Sequence, residues 1–348
     1  MRFAIKMAAL LIGLPMLSLA AWAQLAPSPG APPVSTAPAQ PDDDQSVMTL
    51  KVNVNLVDVF FTVKDKNNEL VPHLSRNDCT ILEDKQPQTI KNWAAESDLP
   101  LTLGILLDTS GSEYRTLPLE QEAGSRFLDE VIRKKDEAFL ISFDVNVDLL
   151  QDFTNSSHQL ARGMQKAEIN TAGGNGAAGI PGAGGGTVPY GNPKGTVLYD
   201  AVYLAANEKM SQESGRKALI LLTDGEDEGS DHKIGEAIAA AQKANTIVYV
   251  ILIVDRQAFG SFGYSGYSAM KKVAEETGGR VIDVGNNGKK LEAAFQQIED
   301  ELRTQYVASY TPSNAKIDGS FRHLAVECKG DGLKIQTRKG YFALAPQE

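Results

Sequence analysis

The chain has 348 residues, enough for about two domains, and its 42% hydrophobic and 22% charged residues exclude a chain that is disordered throughout. The net charge of −10, from 44 acidic and 34 basic residues, argues against a protein that binds nucleic acid by neutralising phosphates. Two cysteines are too few for a disulfide-framework fold or a four-cysteine zinc site.

The N-terminus has the pattern of an export signal. Arg2 and Lys6 precede an apolar stretch that ends in Ala21-Trp22-Ala23. This pattern predicts a signal peptide at residues 1–23, cleaved after Ala23, in a secreted or periplasmic protein. The alternative is a membrane anchor, but the stretch is shorter than the roughly 20 residues that a spanning helix needs. No later segment is apolar and long enough, so we expect no transmembrane segment after cleavage.

Three stretches of the mature chain lie outside its central domain. Residues 24–48 hold six of the sixteen prolines and few large apolar residues, which predicts a disordered linker. Residues 49–98 and 306–348 contain short alternating apolar segments typical of β-strands. Neither stretch is large enough to bury a core alone, so we expect the two to pair into one small β domain.

Residues 99–305 alternate apolar strands with helical segments. The segments Leu101–Asp108, Lys217–Thr223 and Thr246–Val254 are apolar or nearly so, without polar alternation. Such strands, separated by helices, predict an α/β fold with a doubly wound, mostly parallel sheet that has helices on both faces. A glycine-rich insertion at 170–195 holds ten of the 31 glycines and is either a disordered insertion or a loop that contacts a ligand.

Hydroxyl and carboxylate side chains follow two of the predicted strands. Asp108, Ser110 and Ser112 are spaced two residues apart, so a curled loop can point all three at one spot. Thr196 opens a predicted helix, and Asp224 follows the strand that ends at residue 223. Ligands of open α/β sheets bind beyond the carboxyl ends of the strands. These oxygens predict a site for Mg²⁺, with Mn²⁺ as the second choice; helix capping is the alternative.

The pattern Asp-x-Ser-x-Ser, followed by a Thr and by an Asp in Thr-Asp-Gly, resembles the metal-ion-dependent adhesion site of von Willebrand factor type A domains, a family shared with integrin inserted domains. The five matching positions are Asp108, Ser110, Ser112, Thr196 and Asp224. The resemblance covers residues 99–305 and implies metal-dependent binding of a protein through an Asp or Glu carboxylate of the ligand. The signal peptide, the β stretches and the segment 338–341 are similar to secreted bacterial proteins that carry a related domain.

A loop rich in glycine and aromatic residues follows another strand end, at residues 259–267. Because it lies at the ligand-facing edge of the sheet, its aromatic side chains are candidates for ligand contacts. They are Phe259, Phe262, Tyr264 and Tyr267. The alternative is burial under the neighbouring loop.

The two cysteines, Cys79 and Cys328, lie one in each β stretch. In an exported chain with exactly this pair, a disulfide is favoured over the alternative of two buried thiols.

The motif favours a binding protein over an enzyme. Ser110 and Ser112 lie at a strand-to-helix turn, where hydrolases place a nucleophile, but Asp-Thr-Ser-Gly-Ser is not the GxSxG pattern. We therefore expect a secreted adhesion-type module with no catalytic residues, whose Mg²⁺ takes a partner carboxylate in an open position. A scaffold protein of the envelope that does not use its metal site is the alternative, and a hydrolase is a distant third.

Overall fold

The computed structural model describes residues 56–95, 99–170, 195–254 and 266–344. The predicted signal peptide, the linker, most of the glycine-rich insertion and the aromatic loop up to residue 265 lie outside these residues. Within the described ranges, no helix is long and apolar enough to cross a membrane.

The described chain begins and ends with β-strands, and strands alternate with helices between these two parts. The strands are β1 (Val57–Lys64), β2 (Cys79–Glu83), β3 (Gln86–Gln88), β4 (Ile90–Ala95), β5 (Leu101–Asp108), β6 (Glu137–Phe143), β7 (Val147–Thr154), β8 (Arg216–Thr223), β9 (Ile247–Leu252), β10 (Val281–Asp283), β11 (Tyr306–Tyr310), β12 (Phe321–Cys328), β13 (Lys334–Thr337) and β14 (Gly340–Phe342). The helices are α1 (Leu117–Val131), α2 (Ser157–Met164), α3 (Leu198–Leu204), α4 (Ile234–Lys243), α5 (Gly266–Thr277) and α6 (Gly288–Arg303).

Strands β5 to β10 form one six-stranded sheet in the order β10-β9-β8-β5-β6-β7, in which the edge strand β7 is antiparallel and the other pairs are parallel. If β5 is numbered 1 and the sheet is read from β7 to β10, the strand order is 3-2-1-4-5-6, which is the order of doubly wound folds. The predicted fold class is therefore confirmed. The order reverses between β5 and β8, and the carboxyl ends of these two strands open the crevice in which such sheets bind ligands.

Each face of this sheet has its own apolar core. In β5, the side chains of Leu103, Ile105 and Leu107 belong to a cluster with α1, α2 and α6. Leu106 belongs to the cluster on the opposite face, with α3, α4 and α5. Because helices cover both faces, every residue of β5 is buried, which explains why the strand is apolar throughout.

Strands from both ends of the described chain combine in two four-stranded antiparallel sheets, with the orders β13-β1-β11-β4 and β14-β12-β2-β3. Each sheet contains strands from before and after the α/β part. The two sheets share one apolar core, which includes Phe61, Ile81, Tyr306 and Val326. The α/β part is thus an insertion within a β sandwich.

The insertion begins and ends at neighbouring points. Ala95, the last residue of β4, pairs with Tyr306, the first residue of β11. The buried Arg216 side chain donates hydrogen bonds to the carbonyl oxygen of Leu99 at 2.7 Å and to that of Leu302 at 2.5 Å. One guanidinium therefore joins the incoming and the outgoing segments of the α/β part.

Polar and covalent links hold β2 against β12 and β14. A disulfide joins Cys79 and Cys328, which lie directly opposite each other in the two strands. Deep in the sandwich, Arg322 and Glu83 form an ion pair at 3.0 Å. The Tyr341 hydroxyl donates to the same Glu83 carboxylate at 2.8 Å, so this buried charge has its partners.

Replacing both cysteines by serine should lower the free energy of unfolding by about 2–4 kcal/mol, because the bond closes a long loop in the unfolded chain. Urea unfolding of the double variant Cys79→Ser/Cys328→Ser against the wild type measures the effect, and non-reducing peptide mapping of the wild type tests the bond itself. Free thiols at both positions, or equal unfolding midpoints, would contradict the prediction.

Candidate metal centre

Two adjacent strands bring two aspartates to the same edge of the sheet. Asp108 is the last residue of β5, and Asp224 directly follows β8. The two strands are parallel neighbours, with Leu107 opposite Leu222. Both aspartates are buried. The crevice that the strand order defines therefore contains two carboxylates.

The loop after β5 curls around Asp108. One carboxylate oxygen of Asp108 accepts the backbone N–H of Ser110 at 3.0 Å, and the other accepts the Thr223 hydroxyl at 2.6 Å. The hydroxyl oxygens of Ser110 and Ser112 lie 3.0 Å apart. Burial raises the pKa of Asp224, and a hydrogen bond from the Ser112 hydroxyl to this carboxyl offsets part of the rise. The structure thus brings four of the five motif residues together.

Thr196 lies on the segment before α3, beside the loop that follows β8. Its carbonyl oxygen accepts the backbone N–H of Glu228 at 2.8 Å, and the N–H of Gly195 donates to the carbonyl of Glu228 at 2.5 Å. Thr196 itself is buried. This short ladder holds the fifth motif residue against the loop that begins at Asp224.

A third carboxylate, which the sequence analysis missed, lies beside the two aspartates. Glu113 is in the 3₁₀ turn Gly111–Arg115 after β5 and is only 2% exposed. One carboxylate oxygen each of Glu113, Asp108 and Asp224 lie within 4.8 Å of one another. The Oε2 atom of Glu113 is hydrogen-bonded to the Thr116 hydroxyl, whereas Oε1 has no hydrogen-bond partner within the described part of the chain. The only signal for Glu113 in the sequence is that it directly follows Ser112, the last residue of the Asp-x-Ser-x-Ser pattern.

Burial of these carboxyls raises their pKa values. Burial and repulsion from Asp224 raise the pKa of Asp108 to about 7. Burial, together with repulsion from Glu120 and Asp108, raises the pKa of Glu113 to about 11. Burial is also the main reason that the pKa of Glu120, on α1, rises to about 8. A cation in the cluster would stabilise the charged forms and reverse these shifts.

The donor set fits a hard divalent cation. Octahedral Mg²⁺ with bonds of 2.0–2.1 Å places opposite ligand oxygens about 4.2 Å apart. Neighbouring ligand oxygens of such an ion lie about 2.9 Å apart, so the three carboxylate oxygens, within 4.8 Å of one another, would have to move closer together to bind it. Carboxylate and hydroxyl oxygens are the ligands that Mg²⁺ and Mn²⁺ take. Asp108, Ser110, Ser112 and Asp224 are the motif residues that would hold such an ion.

Two glycines let the loop after β8 meet the start of α5. Gly225 has a positive φ of 86°. A Cβ on Gly266 would lie 2.7 Å from the carbonyl carbon of Gly225, closer than real side chains approach, so only glycine fits there. The N–H of Gly266 donates to the Glu226 carboxylate at 2.9 Å. This contact brings the N-terminus of α5 next to the aspartate loop.

Of the aromatic candidates, only Tyr267 lies within the described residues. It is the second residue of α5 and is 44% exposed. Phe259, Phe262 and Tyr264 lie outside those residues. A second aromatic side chain, Tyr114, follows Glu113 directly and is 71% exposed; the sequence analysis did not predict it. Two accessible tyrosines therefore lie one residue away from Glu113 and from Gly266.

Comparisons with known proteins add weak structural likenesses. No protein-family model matches the chain, and no curated protein matches it. The chain is similar to BatB from Bacteroides thetaiotaomicron, with 19% identity over 58% of this chain and 98% of that chain and a TM-score of 0.42. It is similar to proximal thread matrix protein 1 from the mussel byssus, whose MIDAS motif is occupied by zinc in one structure, with 16% identity, 60% and 49% coverage and a TM-score of 0.42. It is also similar to the vWF domain of the pilus tip protein Mfa5 from Porphyromonas gingivalis, with 12% identity, 60% and 95% coverage and a TM-score of 0.42.

The strand order defines the α/β part as a doubly wound fold with an antiparallel edge strand, and the motif residues lie at its switch point.

Without metal, the protein should lose stability as the pH rises from about 5 to about 8. Asp108 and Glu120 have raised pKa values in the folded state, so the folded chain binds more protons than the unfolded chain across this interval. Urea unfolding in EDTA at several pH values measures the slope, and excess Mg²⁺ should flatten it. Asp108→Asn, which removes one of these groups, should reduce the slope in EDTA. A free energy of unfolding in EDTA that is constant or rises across the interval would contradict the prediction.

Proposed function

We propose that this chain is an exported binding module that captures a protein partner through a metal ion. The proposal rests on one observation: the motif residues Asp108, Ser110, Ser112 and Asp224 meet at the switch point of a doubly wound sheet. Mg²⁺ is the proposed ion, with Mn²⁺ as the alternative, and Thr196 is proposed as the fifth ligand.

The chemistry of the donors explains why such an ion would bind a carboxylate. Hydroxyl ligands are neutral, so the two aspartates at most balance the charge of a divalent cation. An ion held in this way keeps its affinity for a further negatively charged oxygen. An Asp or Glu side chain of a partner protein supplies that oxygen. The accessible rings of Tyr114 and Tyr267 would give the partner apolar contacts beside the ion.

The proposed domain organisation serves this role. Residues 1–23 direct export to the periplasm or the exterior, and residues 24–48 form a linker. Residues 49–98 and 306–348 make the β domain, and residues 99–305 make the binding domain. The competing proposal, a scaffold protein that does not use its metal site, predicts that no partner depends on divalent metal.

The mature chain should bind one divalent cation, and Asp108→Ala should abolish the binding, because it removes a buried carboxylate from the centre of the cluster. Titration calorimetry with Mg²⁺ and with Mn²⁺ measures this. The matched control is Asp129→Ala, which removes an exposed aspartate of α1. In the wild type, metal at 100 times its Kd should add about 2.7 kcal/mol to the free energy of unfolding. Equal heats in wild type and Asp108→Ala would contradict the metal site.

Peptides selected on the Mg²⁺-loaded chain from a random displayed library should be enriched in Asp or Glu. Their binding should vanish in EDTA and in the Thr196→Ala and Asp224→Ala variants, while circular dichroism shows an unchanged fold. Synthetic versions with the acidic residue replaced by Asn or Gln are the matched controls. If the affinity of the selected peptides is the same with and without divalent metal, the carboxylate mechanism is wrong.

A further inference from the structure

We propose that Glu113 is a third carboxylate ligand of the metal and that, in the free protein, it competes with the partner's carboxylate for the ion. This inference rests on the metal site of the proposed function. Glu113 would be a ligand outside the five motif positions. It would occupy the coordination position of the partner's carboxylate until a partner binds.

The position of Glu113 is the first argument. One oxygen of its carboxyl lies within 4.8 Å of an oxygen of both Asp108 and Asp224. The side chain is almost fully buried, and its Oε1 atom has no hydrogen-bond partner in the described ranges. A buried carboxyl oxygen without a partner is costly unless a cation or a donor satisfies it. The cluster to which this carboxyl belongs is the place where the motif would hold a cation.

The second argument is the way the carboxyl is oriented. Its Oε2 atom is hydrogen-bonded to Thr116, the residue just before α1. The same hydroxyl lies 3.1 Å from the carbonyl oxygen of Glu113, so Thr116 closes the 3₁₀ turn as well. A hydroxyl that holds one oxygen of a carboxylate leaves the other oxygen free to coordinate, which is how neighbouring residues orient metal ligands.

Counting charges gives the consequence for binding. Two carboxylates balance a divalent cation, and a third leaves the centre with a net charge of −1. A fourth carboxylate, from a partner, would then be repelled unless Glu113 leaves the ion. The partner must therefore displace the Glu113 carboxylate from the ion. A lone carboxylate then binds weakly, whereas a carboxylate whose protein makes further contacts binds more tightly. Tyr114, exposed and next in the chain, would move with Glu113.

Wild-type protein provides a test that does not depend on any variant. The five motif residues include no glutamate, so a glutamate bound to the metal is distinctive. Protein carrying carboxyl-¹³C-labelled glutamate is loaded with Mn²⁺, and electron–nuclear double resonance measures the ¹³C coupling. We expect a coupling of the size that direct coordination gives. Mn²⁺ that binds without this coupling would overturn the inference and leave the proposed metal site intact.

Variants then assign the ligand. Glu113→Gln should lose the ¹³C coupling and weaken Mn²⁺ binding by about tenfold, because affinity follows the number of charged ligands. The Mn²⁺-loaded variant should bind acetate, the carboxylate probe, at least about fivefold more tightly than the loaded wild type, as expected when an internal competitor is removed. The matched control is Glu122→Gln, which makes the same charge change at an exposed position of α1 and should behave as wild type.

The outcomes separate the two proposals. If the wild type binds no Mn²⁺, the proposed function fails and this inference fails with it. If the wild type binds Mn²⁺ and Glu113→Gln matches it in both Mn²⁺ and acetate affinity, Glu113 is not a ligand and only the inference is overturned. A coupling that persists in Glu113→Gln would also overturn it, because another glutamate would then be the ligand.

Discussion

Buried carboxylates at one sheet edge are the constraint around which the α/β part is arranged. Asp108, Glu113 and Asp224 bring their oxygens within 4.8 Å of one another under cover of the fold. Without a counter-charge, burial favours the neutral forms of these carboxyls and raises their pKa values. The cation that we propose would stabilise their ionised forms, so that metal binding and stability would be linked.

Backbone geometry makes this concentration of charge achievable. The reversal of strand order puts the ends of β5 and β8 side by side, so residues far apart in the chain meet without long loops. The close approach of Gly225 and Gly266 then ties the aspartate loop to α5. The candidate ligands therefore lie on short connections between rigid elements, which limits how far they can move apart.

Much of this could be predicted from the sequence because it depends on local patterns. Uninterrupted apolar strands such as β5 and β8 indicated a sheet covered on both faces, and the spacing after Asp108 indicated a curled loop. Glu113 could not be predicted, since its burial arises in the 3₁₀ turn after β5, and a glutamate in a polar segment resembles a solvent-exposed residue. The sequence also showed strands at both chain ends, but which of them share a sheet depends on contacts between distant residues.

The insertion of the α/β part within the sandwich sets an order in which the chain can fold. The strands of the sandwich are separated by the whole α/β part, and closing so long a loop carries a large entropic cost. Once the α/β part has folded, Arg216 holds the incoming and outgoing segments together, and β4 and β11 start as neighbours. The sandwich then closes across a short gap. The disulfide between Cys79 and Cys328 joins two strands of the sandwich, so it links parts of the chain that the inserted domain already brings near each other.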